Sequence, residues 1–255
     1  MENFVGITER GDAALNEGWV DWVYKQNKPA ILITKNAPLL FEKHPDIFEK
    51  RVIIHATCTG LGGSVLEPNV PKTAIILDWV TNLPSKYFKK IVLRMDPICP
   101  NLLKFEGINF NNIEYSDNII QIIKTCKNYG IRCRVSFLDF YDHVRKRLED
   151  KNIDIVEDYK KETDFPSLHL PLDMRKSIMR VMKSIADIDY EICGEPGMDC
   201  SGCVSKRDLD ILEVKVEETE TSKSRPFCKC LALKKELLTN KHPCPHKCLY
   251  CYWKD

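Results

Sequence analysis

Net charge is the first property this sequence does not have: 38 Lys and Arg stand against 37 Asp and Glu, leaving a formal +1. With no global field, charge alone recruits neither nucleic acid nor an anionic membrane, although a local basic patch stays open. Long apolar runs are also missing, and no segment approaches the roughly 20 residues that span a bilayer. The N-terminal Met1-Glu2-Asn3-Phe4 carries an acid and no apolar h-region, so the expectation is a cytoplasmic protein with no membrane partner. Low-complexity tracts and internal repeats are absent beyond an alternation of strand and helix patterns. Gly60-Leu61-Gly62-Gly63 lacks the Gly-Lys-Ser/Thr ending of a phosphate loop, which leaves it as a turn or a close approach to a cofactor. What remains is 255 residues, 44% of them hydrophobic, enough for one large domain or a domain with an appendage.

Cysteine is what the sequence does have. There are twelve, and eight of them fall from Cys193 onward. In a reducing compartment such thiols read as metal ligands or redox groups before they read as disulfides. Cys244, Cys248 and Cys251 form a Cys-x3-Cys-x2-Cys loop. Three thiolates satisfy three irons of a [4Fe-4S] cluster and leave the fourth open, whereas a closed cluster takes four cysteines. A structural zinc site is the competing reading, because His242, Cys244, His246, Cys248 and Cys251 include enough ligands for a tetrahedron. Zinc knots usually split their ligands into two separated pairs, which favours iron-sulfur for this loop. Cys193, Cys200, Cys203, Cys228 and Cys230 form a second set, four of which could close an auxiliary [4Fe-4S] cluster or a zinc site. Cys126 and Cys133 read as core residues, and Cys58 stays undecided.

Apolar runs at Phe4 to Ile7, Ala30 to Ile33, Arg51 to Thr57, Ile91 to Arg94, Arg132 to Phe137 and Tyr190 to Cys193 predict six strands. Helical patterns intervene at about 12–23, from Pro38, at 71–83, 117–129, from Tyr141, and at 173–188. Such alternation predicts an α/β fold with a parallel sheet, a partial (β/α)6 TIM-like barrel over residues 1–195. Each strand ends on a polar cluster, and a barrel or half-barrel brings all six clusters to one mouth, whereas a doubly wound sheet gathers only those at its switch point. Residues 196–255 then form a cysteine-rich iron-sulfur tail packed on that mouth. Glu213 to Ser224 serves as a polar connector with a weak strand pattern at Leu212, Val214 and Val216.

The strand ends supply further candidates. Arg94 with Asp96, and Lys35 with Asn36, can bind a carboxylate, a ribose or a substrate phosphate, and arginine suits bidentate recognition of oxygen. They can equally form an internal salt-bridge layer. Glu195 is a candidate from location, for a ribose hydroxyl or an amine. His143-Val144-Arg145-Lys146-Arg147 reads first as a solvated helix face and second as a nucleic-acid contact.

The terminal Cys-Pro-His-x-Cys-x-Tyr-Cys-Tyr resembles the cluster loop of the radical S-adenosylmethionine superfamily, in its spore photoproduct lyase and DNA-repair-photolyase-like branch. Nearly the whole chain resembles an uncharacterised bacterial domain-of-unknown-function family with this loop at its C-terminus. The shared blocks are Thr34-Lys35-Asn36, Thr59-Gly60, Glu67 to Pro71, Arg94 to Ile98, Ser136 to Tyr141, Arg225 to Cys230 and the loop itself. The resemblance implies that Cys244, Cys248 and Cys251 hold a [4Fe-4S] cluster whose open iron binds S-adenosylmethionine. Reductive cleavage to a 5'-deoxyadenosyl radical would then abstract hydrogen from a substrate, with a nucleobase, nucleotide or nucleic acid as first choice. It further implies that Tyr250 packs near the adenine and that a flavodoxin or ferredoxin donates the electron. The family shares Cys193, Cys203, Cys228 and Cys230, the expected ligands of a second [4Fe-4S] cluster, leaving Cys200 as the spare. One departure is that the superfamily sets its loop after the first strand. Here it follows them all, so either the barrel is circularly permuted or the cluster serves a non-catalytic protein of electron transfer or binding. Tyr252 and Trp253 are expected to pack inward and hold the loop.

Overall fold

All six apolar runs form strands, and all of them run parallel. The computed structural model describes residues 4–99, 113–153, 159–164, 166–215, 220–221, 227–238 and 243–253. The strands are β1 (Val5–Ile7), β2 (Ala30–Thr34), β3 (Val52–Thr57), β4 (Ile91–Ile98), β5 (Arg132–Phe137), β6 (Tyr190–Ile192) and a seventh, β7 (Lys234–Glu236). The sheet order is β6-β5-β4-β3-β2-β1-β7. From β1 to β6 the order never reverses, so no switch point falls among these strands and their carboxyl ends face the same rim. Among the described residues the sheet is open, with β6 and β7 at its edges.

Consecutive parallel strands joined by right-handed crossovers put their helices on one face. The helices are α1 (Ala37–Lys43), α2 (Thr73–Thr81), α3 (Ile113–Tyr129), α4 (Asp142–Glu149) and α5 (Leu172–Ile185). Leu40, Ile76, Val80, Ile119, Ile122, Val144, Ile178 and Met182 from these helices share one core with Leu32, Ile54, Leu93 and Val135 of the sheet. β2 and β3 are buried along their whole length because the opposite face is covered too. Val5, Ile7, Ile31, Ile33, Ile53 and Val92 point to that side and meet Val204, Leu209, Leu212 and Val214. The residues downstream of β6 therefore line the face that the crossover helices leave bare.

That second face is polar towards β5 and β6. Arg132 and Arg134 alternate with Cys133 and Val135, and both guanidinium groups are buried. They survive there because each is paired. Arg132 Nε lies 2.6 Å from Glu191 and its Nη1 2.7 Å from Asp208, while Arg134 donates to Glu191 as well. Asp208 belongs to a sixth helix, α6 (Lys206–Ile211), which Ser205 and Asp208 start with a reciprocal capping box. The ion cluster thus fastens α6 to the sheet. His55 lies among these arginines; its burial first, then the charges of Arg134, Arg94 and Arg132, hold it well below the usual imidazole range.

Three local expectations change. The helical pattern expected over about 12–23 yields turns and a short π-helix at Asp21–Lys25, because the Asp12 side chain, 2.9 Å from Ala14 N, also binds β2. Leu212 and Val214 pack as buried coil residues instead of a strand, and Val216 lies outside the described residues. β7 arises from Lys234-Lys235-Glu236, which has no apolar pattern, by backbone pairing of Val5 with Lys234 through Ile7 with Glu236.

Candidate metal centre

The loop bearing Cys244, Cys248 and Cys251 is held from three sides by the carboxyl ends of the strands and by the segments that leave them. On the first side stands Asp12. Its carboxylate accepts from Thr34 Oγ1 at 2.6 Å and Lys35 N at 2.7 Å, and lies 2.8 Å from His246 Nε2. The other ring nitrogen, His246 Nδ1, lies 3.1 Å from the Asn69 carbonyl oxygen. Both ring nitrogens thus face protein oxygens, Asp12 Oδ2 on one side and the Asn69 carbonyl on the other, and not the thiols of the loop. Burial pushes the Asp12 carboxyl up, but the hydrogen bond and charge of His246, with Thr34 and Lys35 N, outweigh it and hold the group below its ordinary range.

The second side is the segment between β3 and α2. Gly62 sits so close to Pro71 that a Cβ would lie 1.9 Å from its carbonyl oxygen, and only glycine allows that fold-back. It presents Glu67 inward. Glu67 accepts from Lys35 Nζ at 2.5 Å, from Thr59 Oγ1 at 2.7 Å and from the Tyr250 hydroxyl. Lys35 Nζ also donates to the Tyr250 oxygen at 2.7 Å. Burial pushes the Lys35 ammonium down, yet the charges of Glu67 and Cys248 win and raise it. Backbone contacts complete this side: Leu249 N donates to Leu66 O at 3.0 Å, and Asn69 Nδ2 to Pro245 O at 2.7 Å.

The third side is α4. Arg147 donates to the carbonyls of Cys251 at 2.7 Å, Trp253 at 2.7 Å and Leu249 at 3.4 Å. His143 Nε2 lies 2.8 Å from Tyr252 O. The basic stretch is therefore divided. His143 and Arg147 grip the loop, while Arg145 and Lys146 are exposed. Tyr250, 7% exposed, is the aromatic residue that packs inward, whereas Tyr252 is 39% exposed and stacks sideways on Trp253 and Tyr141. The loop's own turn puts Lys247 at φ 52°, a left-handed conformation uncommon outside glycine.

Between this loop and the second cysteine set lie Arg94 and Asp96, paired with each other, with Ser136 Oγ donating to Asp96. Burial opposes the Arg94 charge, but Asp96 first, then Cys203, Cys193 and Tyr252, raise it. Its Nε is buried with no hydrogen-bond partner among the described residues, an open donor in the mouth. Asn36 caps α1, accepting from Leu39 N at 3.2 Å. Glu195 is 3% exposed, and both its oxygens are engaged, by Phe137 N at 2.7 Å and Arg175 Nη1 at 2.9 Å. Lys35, Asp96, Asn36 and Glu195 thus each hold a protein partner at the strand ends.

The second cysteine set divides cleanly. Cys193 Sγ lies 3.1 Å from Cys203 Sγ, Cys203 and Cys230 approach within 4.8 Å, and the Cys228 and Cys230 thiols share a hydrogen bond. Cys200 instead pairs with the backbone of Glu195, at 3.2 Å to both N and O. A hydrogen bond from the Cys230 thiol draws Cys228 down to about 6 against its burial, helped by the Cys230 amide and Lys234. Cys58, Cys126 and Cys133 are buried elsewhere in the helix-side core.

A tetrahedral ion with metal–sulfur bonds of about 2.3 Å holds its sulfurs about 3.8 Å apart. Among the described residues, Glu9, Cys203 and Cys230 are the one trio of candidate donors within 4.8 Å of one another. The sulfurs of Cys244, Cys248 and Cys251 do not form such a trio. With His246 committed to Asp12 and Asn69, and His242 outside the described residues, the loop presents three thiols. Its donor set fits a three-cysteine cluster. No helix of the described residues is long and apolar enough to cross a membrane.

Residues 19–253 match the family described as a domain of unknown function (DUF1848). No curated protein matches the chain, and no solved structure does.

Proposed function

The chain belongs to the DUF1848 family, whose description carries no activity, and on the geometry of the site we propose that it is an iron-sulfur enzyme of the radical S-adenosylmethionine type. The observation that carries this reading is the three-cysteine loop held by Asp12, by Lys35 after β2, by Glu67 after β3 and by Arg147 of α4, with His246 turned to Asp12 and Asn69. Cys244, Cys248 and Cys251 would hold a [4Fe-4S] cluster, which supplies an open iron and one electron for the reductive cleavage of S-adenosylmethionine.

This chain's own residues do the rest. Glu67, Lys35 and Tyr250 fix the underside of the loop, and Arg147 gathers three of its carbonyls so that the thiols keep one arrangement. Arg94, next to the loop and carrying an unpartnered Nε, is the residue suited to a carboxylate or a ribose oxygen. In this reading the open sheet would serve as a partial barrel, with the polar strand ends facing the loop. Exposed Arg145 and Lys146 beside the loop fit a nucleic acid or nucleotide as the first substrate class. A reducing cytoplasm would keep the thiols free, with a flavodoxin or ferredoxin as donor.

The test is anaerobic reconstitution followed by electron paramagnetic resonance with and without S-adenosylmethionine, and an assay for 5'-deoxyadenosine. The expected result is a reduced cluster whose signal shifts on addition of the cofactor, with 5'-deoxyadenosine formed. A signal indifferent to the cofactor, with none formed, leaves an electron-transfer or binding protein and ends the enzyme reading.

A further inference from the structure

We propose that Cys193, Cys203, Cys228 and Cys230 close on a single zinc ion as a tetrahedral thiolate site that staples the C-terminal segment to the open face of the sheet, and do not hold a second [4Fe-4S] cluster. The proposal does not depend on what the terminal loop binds.

The spacing of the sulfurs argues first. Cys193 and Cys203 touch at 3.1 Å and Cys203 and Cys230 lie within 4.8 Å, and Cys228 stands two positions before Cys230 in the chain. Ligands of one ion with 2.3 Å bonds lie about 3.8 Å apart, so an ion at Cys203 would draw in Cys193 and Cys230, which are not both within 4.8 Å of each other and of Cys203. In a cubane each cysteine serves a different iron, and thiols already in contact would have to be driven apart to admit it. The ligands come from two separated segments, Cys193 with Cys203 and Cys228 with Cys230, as in structural zinc sites, although their spacings of nine and one residues differ from the roughly two to four that is usual.

The surroundings suit four thiolates on a divalent ion, an assembly of net charge −2. Arg94 and Arg134 act on Cys193 and Cys203, and Lys234 on Cys228 and Cys230. Cys203 N donates to Cys230 Sγ at 3.0 Å, a bond that steadies a ligating sulfur. Among the described residues Glu9 is the competing donor within reach, but it holds Lys234 Nζ at 2.8 and 3.0 Å.

The backbone is built for this approach. At Gly202 a Cβ would lie 2.5 Å from Lys229 O and 2.6 Å from Cys230 Cα. The two cysteine segments therefore meet backbone to backbone, which only glycine permits. Cys203 and Cys230 also belong to the apolar cluster that covers Ile31, Ile53 and Val92, with Cys193 and Cys228 packed against it. An ion here ties the end of β6 to both segments that cover the second face.

The experiment is metal analysis of the full chain purified anaerobically, with X-ray absorption at the zinc edge. About one zinc per chain is expected, with a shell of four sulfurs at about 2.3 Å. A Cys244, Cys248, Cys251→Ala triple variant should lose its iron and keep the zinc, and Glu9→Gln should keep it too. Cys228, Cys230→Ser should lose zinc and keep iron. Should that variant fail to fold, the zinc-edge spectrum of the unaltered chain decides alone. About eight irons and no zinc, or a Cys193–Cys203 disulfide found by mass with no metal bound, overturns the proposal. Neither result bears on S-adenosylmethionine cleavage at the terminal loop.

Discussion

The hydroxyl of Tyr250 donates to the carboxylate of Glu67 across 183 residues of sequence, and Lys35 Nζ donates to both. All three meet beneath the cysteine loop, where Glu67 and Tyr250 are buried. Tyr250→Phe keeps the ring and removes the hydroxyl, so Glu67 and Lys35 lose one partner but keep each other. Leaving such a buried group short of a hydrogen bond costs about 1–3 kcal/mol. Chemical denaturation of Tyr250→Phe should show that loss, with iron retained. Glu67→Ala also strands the Lys35 charge and should cost about 3–5 kcal/mol, with iron lost as well. Equal, small losses for the two variants would mean that the triad does not hold the loop.

Arg147 offers a separate handle, because its partners are main-chain carbonyls that no loop substitution removes. Hydrogen bonds to a charged group contribute about 1.5–3 kcal/mol apiece. Arg147→Ala should open the loop to limited proteolysis and lower iron occupancy severalfold. Arg147→Lys should rescue little, since an ammonium cannot reproduce the planar fork that spans several acceptors. Full rescue by lysine would show that charge alone, without that geometry, holds the loop.

Arg132, Arg134, Glu191 and Asp208 test the far side of the sheet. Removing Asp208 leaves the two buried guanidinium groups of Arg132 and Arg134 to share the single carboxylate of Glu191, and takes the Asp208 half of the capping box from α6. Asp208→Ala should therefore cost about 3–5 kcal/mol in denaturant unfolding. Because the cluster lies at β5 and β6, away from the loop's own contacts, iron bound by the folded fraction should stay unchanged.

The contrast between these sites shows what was legible in the sequence. β2 and β3 announced themselves because each is a run of mainly apolar residues buried on both faces, and β5 because its residues alternate, signals that a short window carries. Lys234-Lys235-Glu236 gave no such signal, since β7 exists through backbone pairing with β1 and not through its side chains. The cysteine loop was legible from its spacing, whereas the bonding of Cys200 to the backbone of Glu195 was not. The residues that hold the loop were not. Asp12 and His246 are separated by 234 positions, and Arg147 and Cys251 by 104, so no local pattern couples them. Arg147 sat in a stretch whose periodic charge reads as a solvated face. Lys35, Asn36, Asp96 and Glu195 were found by their place at strand ends, but which partner each takes depends on the fold.

Asp12 makes loop docking depend on pH in a definite direction. Burial raises its carboxyl, and the stronger opposing effects of His246, Thr34 and the Lys35 amide bring it below the ordinary value, with Cys244 the other titratable group facing it. A carboxyl that is more acidic in the folded chain than in the unfolded one adds stability above its unfolded value, about 3.9. That contribution disappears as pH falls through the lowered folded value, where the carboxyl takes up a proton and its bond to His246 weakens. Asp12→Asn lacks the charge at every pH and so lacks this acid limb. The stability difference between the unaltered chain and Asp12→Asn, read from urea unfolding, should shrink steadily as pH falls below about 4. A difference that stayed flat to about pH 2, or grew on acidification, would show that Asp12 is not held as a carboxylate by His246 and that another contact secures this side of the loop.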